Sequence, residues 1–198
     1  MSKQIQKAKT GKEKQRTYAA YMSQYKKAIR NEFFLEAIMI DYAMMEDRLV
    51  ALLHYLGIVS RNQSKLSVNK FCRADIRKLL GYKENAAIRI NNISVKIRIL
   101  NSLVKQTLVE DSAFIKAILE QIAAQIDRNH IERLCCDILE WCAIRNQYVH
   151  ALLNKNYDAL QAGLNDFAED GHIIARRIDD CVKMIKKDNA IRKQFKIK

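Results

Sequence analysis

No proline occurs anywhere in the 198 residues, and only five glycines do. Sheets need a chain reversal between successive strands, and reversals draw on Pro, Gly and Asn for their backbone geometry. A chain this poor in them favours long helices joined by short polar corners, so the expected class is all-α. The length suits one domain with a substantial core. No run of about 18 uninterrupted apolar residues exists, so no segment reads as a membrane span. The opening MSKQIQKAKTGKEKQR has no apolar stretch of a signal peptide.

Apolar periodicity divides the chain into about five to seven helices in a single domain at 15–187, between a basic flexible N-terminal tail at 1–14 and a basic C-terminal tail at 188–198. Tyr18, Tyr21, Met22, Tyr25 and Ile29 keep a weak helical rhythm, and their rings are expected to pack rather than to stack on bases. Asn31 is the expected N-cap of the next helix, which Gly57 stops. Residues 58–67 read as a loop, and Ser67 as the cap of a short helix ending near Gly81. The basic stretch from Lys83 through Lys105 reads as helix despite its alternating IRINNISVKIRIL. Further helices are expected at about 111–127, from Ile131 to Leu153, and from Tyr157 to Lys187 with Gly171 as a candidate break. His54 reads as a packed or surface histidine, and His130 and His172 as surface ones.

The net charge of +13 is uneven. Residues 1–30 carry +8, 31–60 carry −4, 61–105 carry +9, 106–182 carry −6 and 183–198 carry +6. This distribution suits a polyanion such as RNA, and it equally suits a solvated lysine-rich surface. The five cysteines form no C-x-x-C pair and no Cys/His spacing of a zinc site, so no metal or other cofactor is expected. They read as small buried apolar residues in a reducing compartment, the cytoplasm by default.

The most informative stretch is IERLCCDILEWCAIRNQYVHALL, residues 131–153. Its apolar rows run into polar residues. Ile138, Cys142, Arg145, Val149 and Leu152 form one row, and Leu139, Cys142, Asn146, Val149 and Leu153 the other, which puts Arg145 and Asn146 in the apolar stripe. An arginine aimed inward keeps its charge and must find an anion. A carboxylate partner would make it structural, and an absent partner would leave a phosphate site. Glu46, four after Tyr42 and three before Leu49, faces partly inward and is the expected partner. His150 supplies a side chain that moves protons near neutral pH. On a straight helix Arg145 and His150 diverge by about 140°, so they converge only through a kink, an unwound turn or a second copy of the chain.

Arg145-Asn146-Gln147-Tyr148-Val149-His150, or R-N-x-x-x-H, in the C-terminal half of an all-helical chain resembles the signature of the HEPN superfamily. YAMMEDRLVALLHYLG is similar to the earlier long helix of bacterial members, with an acid near the site. The resemblance covers roughly residues 31–185. It implies an HEPN-like helical bundle that forms a homodimer, with two R-N-x-x-x-H segments facing one another in a composite active site. It also implies a metal-independent endoribonuclease acting on single-stranded RNA in a toxin or antiviral defence role, with an antitoxin or defence-system protein as partner. Arg145, Asn146 and His150 would be catalytic, and Glu46 and Tyr148 supporting. Members controlled by adenylylation carry a tyrosine two residues after the histidine, where this chain has Leu152. A catalytically silent HEPN module binding RNA or a protein partner is the alternative.

Overall fold

A chain with few turn residues folds into long helices, and the computed structural model describes residues 11–62, 65–105, 112–151, 161, 163–188 and 190–197 of them. The order is α1 (Gly11–Arg30), α2 (Phe34–Tyr55), β1 (Val59–Asn62), β2 (Lys65–Val68), a 3-10 turn (Lys70–Cys72), α3 (Arg73–Leu79), α4 (Ile93–Lys105), α5 (Ala113–Gln125), α6 (Arg128–Ala151), α7 (Leu164–Asp188) and α8 (Ala190–Gln194). The architecture is the expected all-α bundle. Among the described residues no helix is long and apolar enough to cross a membrane.

The bundle is built around α2, which is apolar on most sides. Ala37, Ile38, Met45, Leu49, Leu52 and Leu53 are all at most 1 % exposed. Its most extensive neighbour is α7, with α1 and α4 flanking it and α6 lying across α4 and α7. One contiguous core results. Each fully buried Leu or Ile contributes about 1.5–3 kcal/mol, which makes these three- and four-residue spacings the main determinant of the fold.

Helix ends depart from expectation in an instructive way. Asn31 does not cap α2. Instead α1 closes on itself: the Phe33 amide donates to the Ala28 carbonyl at 2.8 Å, the Glu32 amide to Ile29 at 3.1 Å, and Glu32 takes φ 60°. That is the left-handed closure usually made by glycine. Gly57 makes the same closure for α2 at φ 74°, as its placement in the sequence indicates. Where residues 58–67 read as a loop, Val59–Asn62 and Lys65–Val68 are strands. Val59 pairs with Val68 and Ser60 with Ser67 in an antiparallel hairpin, held because both valines are buried against the helices. Ser67 is therefore a strand residue, and Asn69 accepts the amide of Phe71 to start the 3-10 turn. The basic stretch is helical only from Ile93, where the Asn92 side chain accepts the Val95 amide at 2.9 Å.

The expected break at Gly171 is absent, and α7 runs through it. Glycine is needed there because a Cβ would stand 2.7 Å from the Trp141 ring of α6. The tails also differ from expectation. Residues 11–14 belong to α1, and α8 folds back so that Ile191 is 1 % exposed and Phe195 meets Phe114 edge-on at 4.8 Å. Residues 1–10, residues 106–111 with the first residue of the expected 111–127 helix, Leu152, Leu153 and the expected helix start at Tyr157 lie outside the described residues.

Asp47 ties α1 to α2. It accepts from Lys14 Nζ at 2.7 Å, Tyr18 Oη at 2.6 Å and Arg48 Nη2 at 2.7 Å, and Arg48 reaches on to Asp179 of α7 at 3.1 Å. Burial pushes the Asp47 carboxyl up, but those donors outweigh it and hold the group well below the usual carboxylate range. A depressed folded pKa contributes stability above the unfolded value of 3.8 that is lost as pH falls through the folded one. Asp47→Asn is expected to cost about 2 kcal/mol at pH 7. Urea melts should show that difference shrinking steadily below about pH 4; a pH-independent difference would contradict the assignment.

Candidate functional site

The core-facing rows of α6 end earlier than the sequence rhythm indicates. Ile131, Leu134, Cys135, Ile138, Trp141 and Cys142 are buried. Beyond them Arg145 is half-buried, while Asn146, Gln147 and His150 are exposed. Asn146 therefore does not face inward as expected. It shares an outer face with His150, one turn on, with Cβ atoms about 6 Å apart by helix geometry. Because α6 is helical through Ala151, no unwound turn brings Arg145 round to His150 within one copy.

Arg145 itself points toward α2. Its guanidinium carbon lies 4.0 Å from the centroid of the Tyr42 ring, a cation–π arrangement. Its Nε is buried and makes no hydrogen bond. Among the described residues no carboxylate pairs with it. The expected partner, Glu46, is committed elsewhere: its Oε1 accepts from Lys96 Nζ of α4 at 2.7 Å. Lys96 is 2 % exposed, so its ammonium has the stronger claim on the acid. Burial raises the Tyr42 phenol, with Glu46 adding to the rise and Arg145 opposing it. Burial likewise pushes the Cys142 thiol up to about 11, with Arg145 opposing and Glu46 adding, so it is no thiolate nucleophile. Tyr148 packs its ring on Phe167 of α7 at 5.1 Å and anchors this end of α6.

Glu46→Ala leaves the buried Lys96 ammonium without its acceptor, and a loss of about 1–3 kcal/mol is expected, with Glu46→Gln costing less. Urea unfolding midpoints check this; an unaffected Glu46→Ala would mean that Lys96 finds water or another acceptor.

Two polar features escape the sequence reading. Lys96 lies in the row Ile93, Lys96, Ile97 and Leu100, an inward position hidden by the basic composition around it. Asp41, between Ile38 and Met45 in the α2 row, is fully buried, with Oδ1 3.2 Å from His172 Nδ1 and Oδ2 lacking any partner. Tyr25 stacks on the His172 ring at 4.4 Å. Burial raises the Asp41 carboxyl, with His172 opposing. His172 is thus a packed histidine between α1, α2 and α7, not a surface one. Cys72, Cys135, Cys142 and Cys181 are buried free thiols, as expected.

An open cleft of about 510 Å³ lies at the other end of α6, lined by Asp127, Asn129, Glu132, Arg133, Cys136 and Asp137. It is roughly 12–27 Å along the axis from Arg145. Three carboxylates make it a poor host for phosphate. The cation-bearing site is therefore the Tyr42–Arg145 seam and the neighbouring Asn146–His150 face. No family model, curated protein or solved structure gives a match to this chain.

Proposed function

We propose that the chain is a metal-independent endoribonuclease that cuts single-stranded RNA, with Arg145, Asn146 and His150 as catalytic residues supplied by two copies of the chain. The observation that carries this reading is the Arg145 guanidinium, held on Tyr42 with no carboxylate partner among the described residues and with its Nε unsatisfied. Such a group is prepared for an anion, and its planar fork suits phosphate. A structural arginine would instead have taken Glu46, which bonds Lys96.

The chemistry uses the RNA's own 2′-hydroxyl. Its oxygen attacks phosphorus as the P–O5′ bond breaks, giving a 2′,3′-cyclic phosphate and a 5′-hydroxyl. His150 of one copy takes the 2′ proton, and the leaving oxygen collects one from solvent water. Arg145 donates to the phosphorane oxygens, where charge develops, and Asn146 orients the phosphate or the imidazole.

The divergence of Arg145 from His150 within one copy is the argument for a homodimer about a two-fold axis. Ile144 and Val149, 42 % and 40 % exposed, border the site and offer apolar surface for the second copy to cover. The R-N-x-x-x-H resemblance to HEPN proteins supports the same reading, and the toxin or defence role rests on that resemblance alone. The test is labelled single-stranded RNA with purified protein in EDTA. Cleavage to cyclic-phosphate ends is expected, and activity that vanishes with EDTA would refute the mechanism. Well-folded protein that binds RNA without cutting it would instead establish the silent binding module.

A further inference from the structure

Two basic stretches far apart in the chain meet at one end of the bundle. The 3-10 turn and α3 come from the segment 61–105, net +9, and α8 from the segment 183–198, net +6. An aromatic cluster joins them. Phe71 is 45 % exposed, and its ring packs on Phe114 at 6.1 Å and on Phe195 at 6.3 Å. Lys70 Nζ stands 5.3 Å from the centroid of the same ring. Lys193 and Lys196 flank Phe195 and are exposed. Ile197, beyond α8, is held against the bundle, its Cδ1 reaching to 2.9 Å of where a Gly57 Cβ would be. Asp75 accepts from Ser112 and Asp188 from Gln125, each at 3.0 Å, and neither bonds a lysine of the patch. Among the described residues Lys70, Lys193 and Lys196 make no ion pair.

We propose that this patch binds single-stranded RNA, with a base stacked on Phe71 and Lys70, Lys193 and Lys196 on the flanking phosphates. A phenyl ring braced from behind by two others is a rigid platform, and bases stack on such rings whatever their sequence. The cations around it supply the charge that a phosphate backbone requires. A lipid surface would call for several apolar side chains projecting together, and this patch projects a single ring within a border of lysines. The inference rests on RNA as the ligand of the proposed function and does not depend on cleavage at Arg145 and His150.

The probe is a fluorescent 2′-O-methyl oligouridylate of about twelve nucleotides, which lacks the attacking hydroxyl, bound to the full chain and followed by anisotropy at several salt concentrations. Phe71→Ala is expected to weaken binding about tenfold, and Phe71→Trp to retain it. Because Phe71 also packs on Phe114 and Phe195, melting curves accompany each variant. The double change Lys193→Gln, Lys196→Gln, which touches no core contact, should lower the log–log salt slope by about 1.4 if both lysines meet phosphates. Unchanged affinity in folded Phe71→Ala together with an unchanged slope in the lysine variant would overturn the proposal. So would phosphatidylserine vesicles binding the patch more tightly than the oligonucleotide. Binding lost in these variants from a chain that never cuts RNA upholds the patch and refutes the nuclease. Cleavage by a chain whose patch variants bind normally refutes the patch alone.

Discussion

His150→Ala is expected to lower RNA cleavage about a hundredfold or more, the usual scale for a lost general acid or base. The imidazole is exposed near the end of the described part of α6, so truncating it opens no cavity in the core. Arg145→Ala should be as severe, because the charge developing on phosphate then has no fork of donors. It also removes a buried, unsatisfied Nε, so its stability cost is limited to the lost contact with Tyr42, about 0.5–1 kcal/mol. Arg145→Lys should not rescue, since an ammonium offers a point charge in place of two parallel donors. Initial rates on labelled RNA check all three. Activity persisting in His150→Ala would place the chemistry elsewhere.

Trp141→Ala is expected to cost about 3–5 kcal/mol in urea unfolding, the largest stability loss of any single truncation near the site. The indole stacks on Phe167 at 4.9 Å with a 12° interplanar angle. Its Nε1–H donates to the Phe167 carbonyl at 3.0 Å. Truncation therefore opens a cavity and removes a buried hydrogen bond at once. Trp141→Phe keeps most of the ring contact and loses only that hydrogen bond, which should cost about 0.5–1.5 kcal/mol. Gly171, one turn further along α7, is as close, since a Cβ there would meet the same ring at 2.7 Å. Trp141 lies one turn before Arg145, so this clamp between α6 and α7 fixes the seam from which the arginine projects. A Trp141→Ala protein as stable as the parent would show that Tyr148 and the Arg177–Asp137 pair hold α6 alone.

What was legible in the sequence follows from local physics. The missing prolines, the apolar periodicity and Gly57 report on backbone geometry and burial within a few residues, and α2, α6 and the all-α class emerge from them. Inward polar residues were only half legible. Spacing marks Glu46 and Arg145 as facing the bundle but leaves Lys96 and Asp41 unmarked, and partners are settled by which helices become neighbours. Glu46 took the fully buried Lys96 in place of Arg145, and Asp41 took His172 from α7. Asn146 was misplaced for a different reason. The row through Val149 continues past the point where α6 has core to cover, so periodicity outlasts burial. The hairpin was hidden because β1 and β2 have only four residues each, too few for alternation to stand out from a polar loop. The C-terminal segment reads as a tail because its four basic residues outnumber the three that dock it, Ile191, Phe195 and Ile197.

The central claim is that Arg145 of one copy works with His150 of another. The most direct measurement mixes the two inactive variants, Arg145→Ala and His150→Ala, in equal amounts after a denaturation and refolding step that exchanges subunits. Half of the dimers are then mixed, and each mixed dimer has one site with both residues intact, so recovery of about a quarter of the parent cleavage rate is predicted. A mixture as inactive as either variant, with subunit exchange verified, would contradict the composite site.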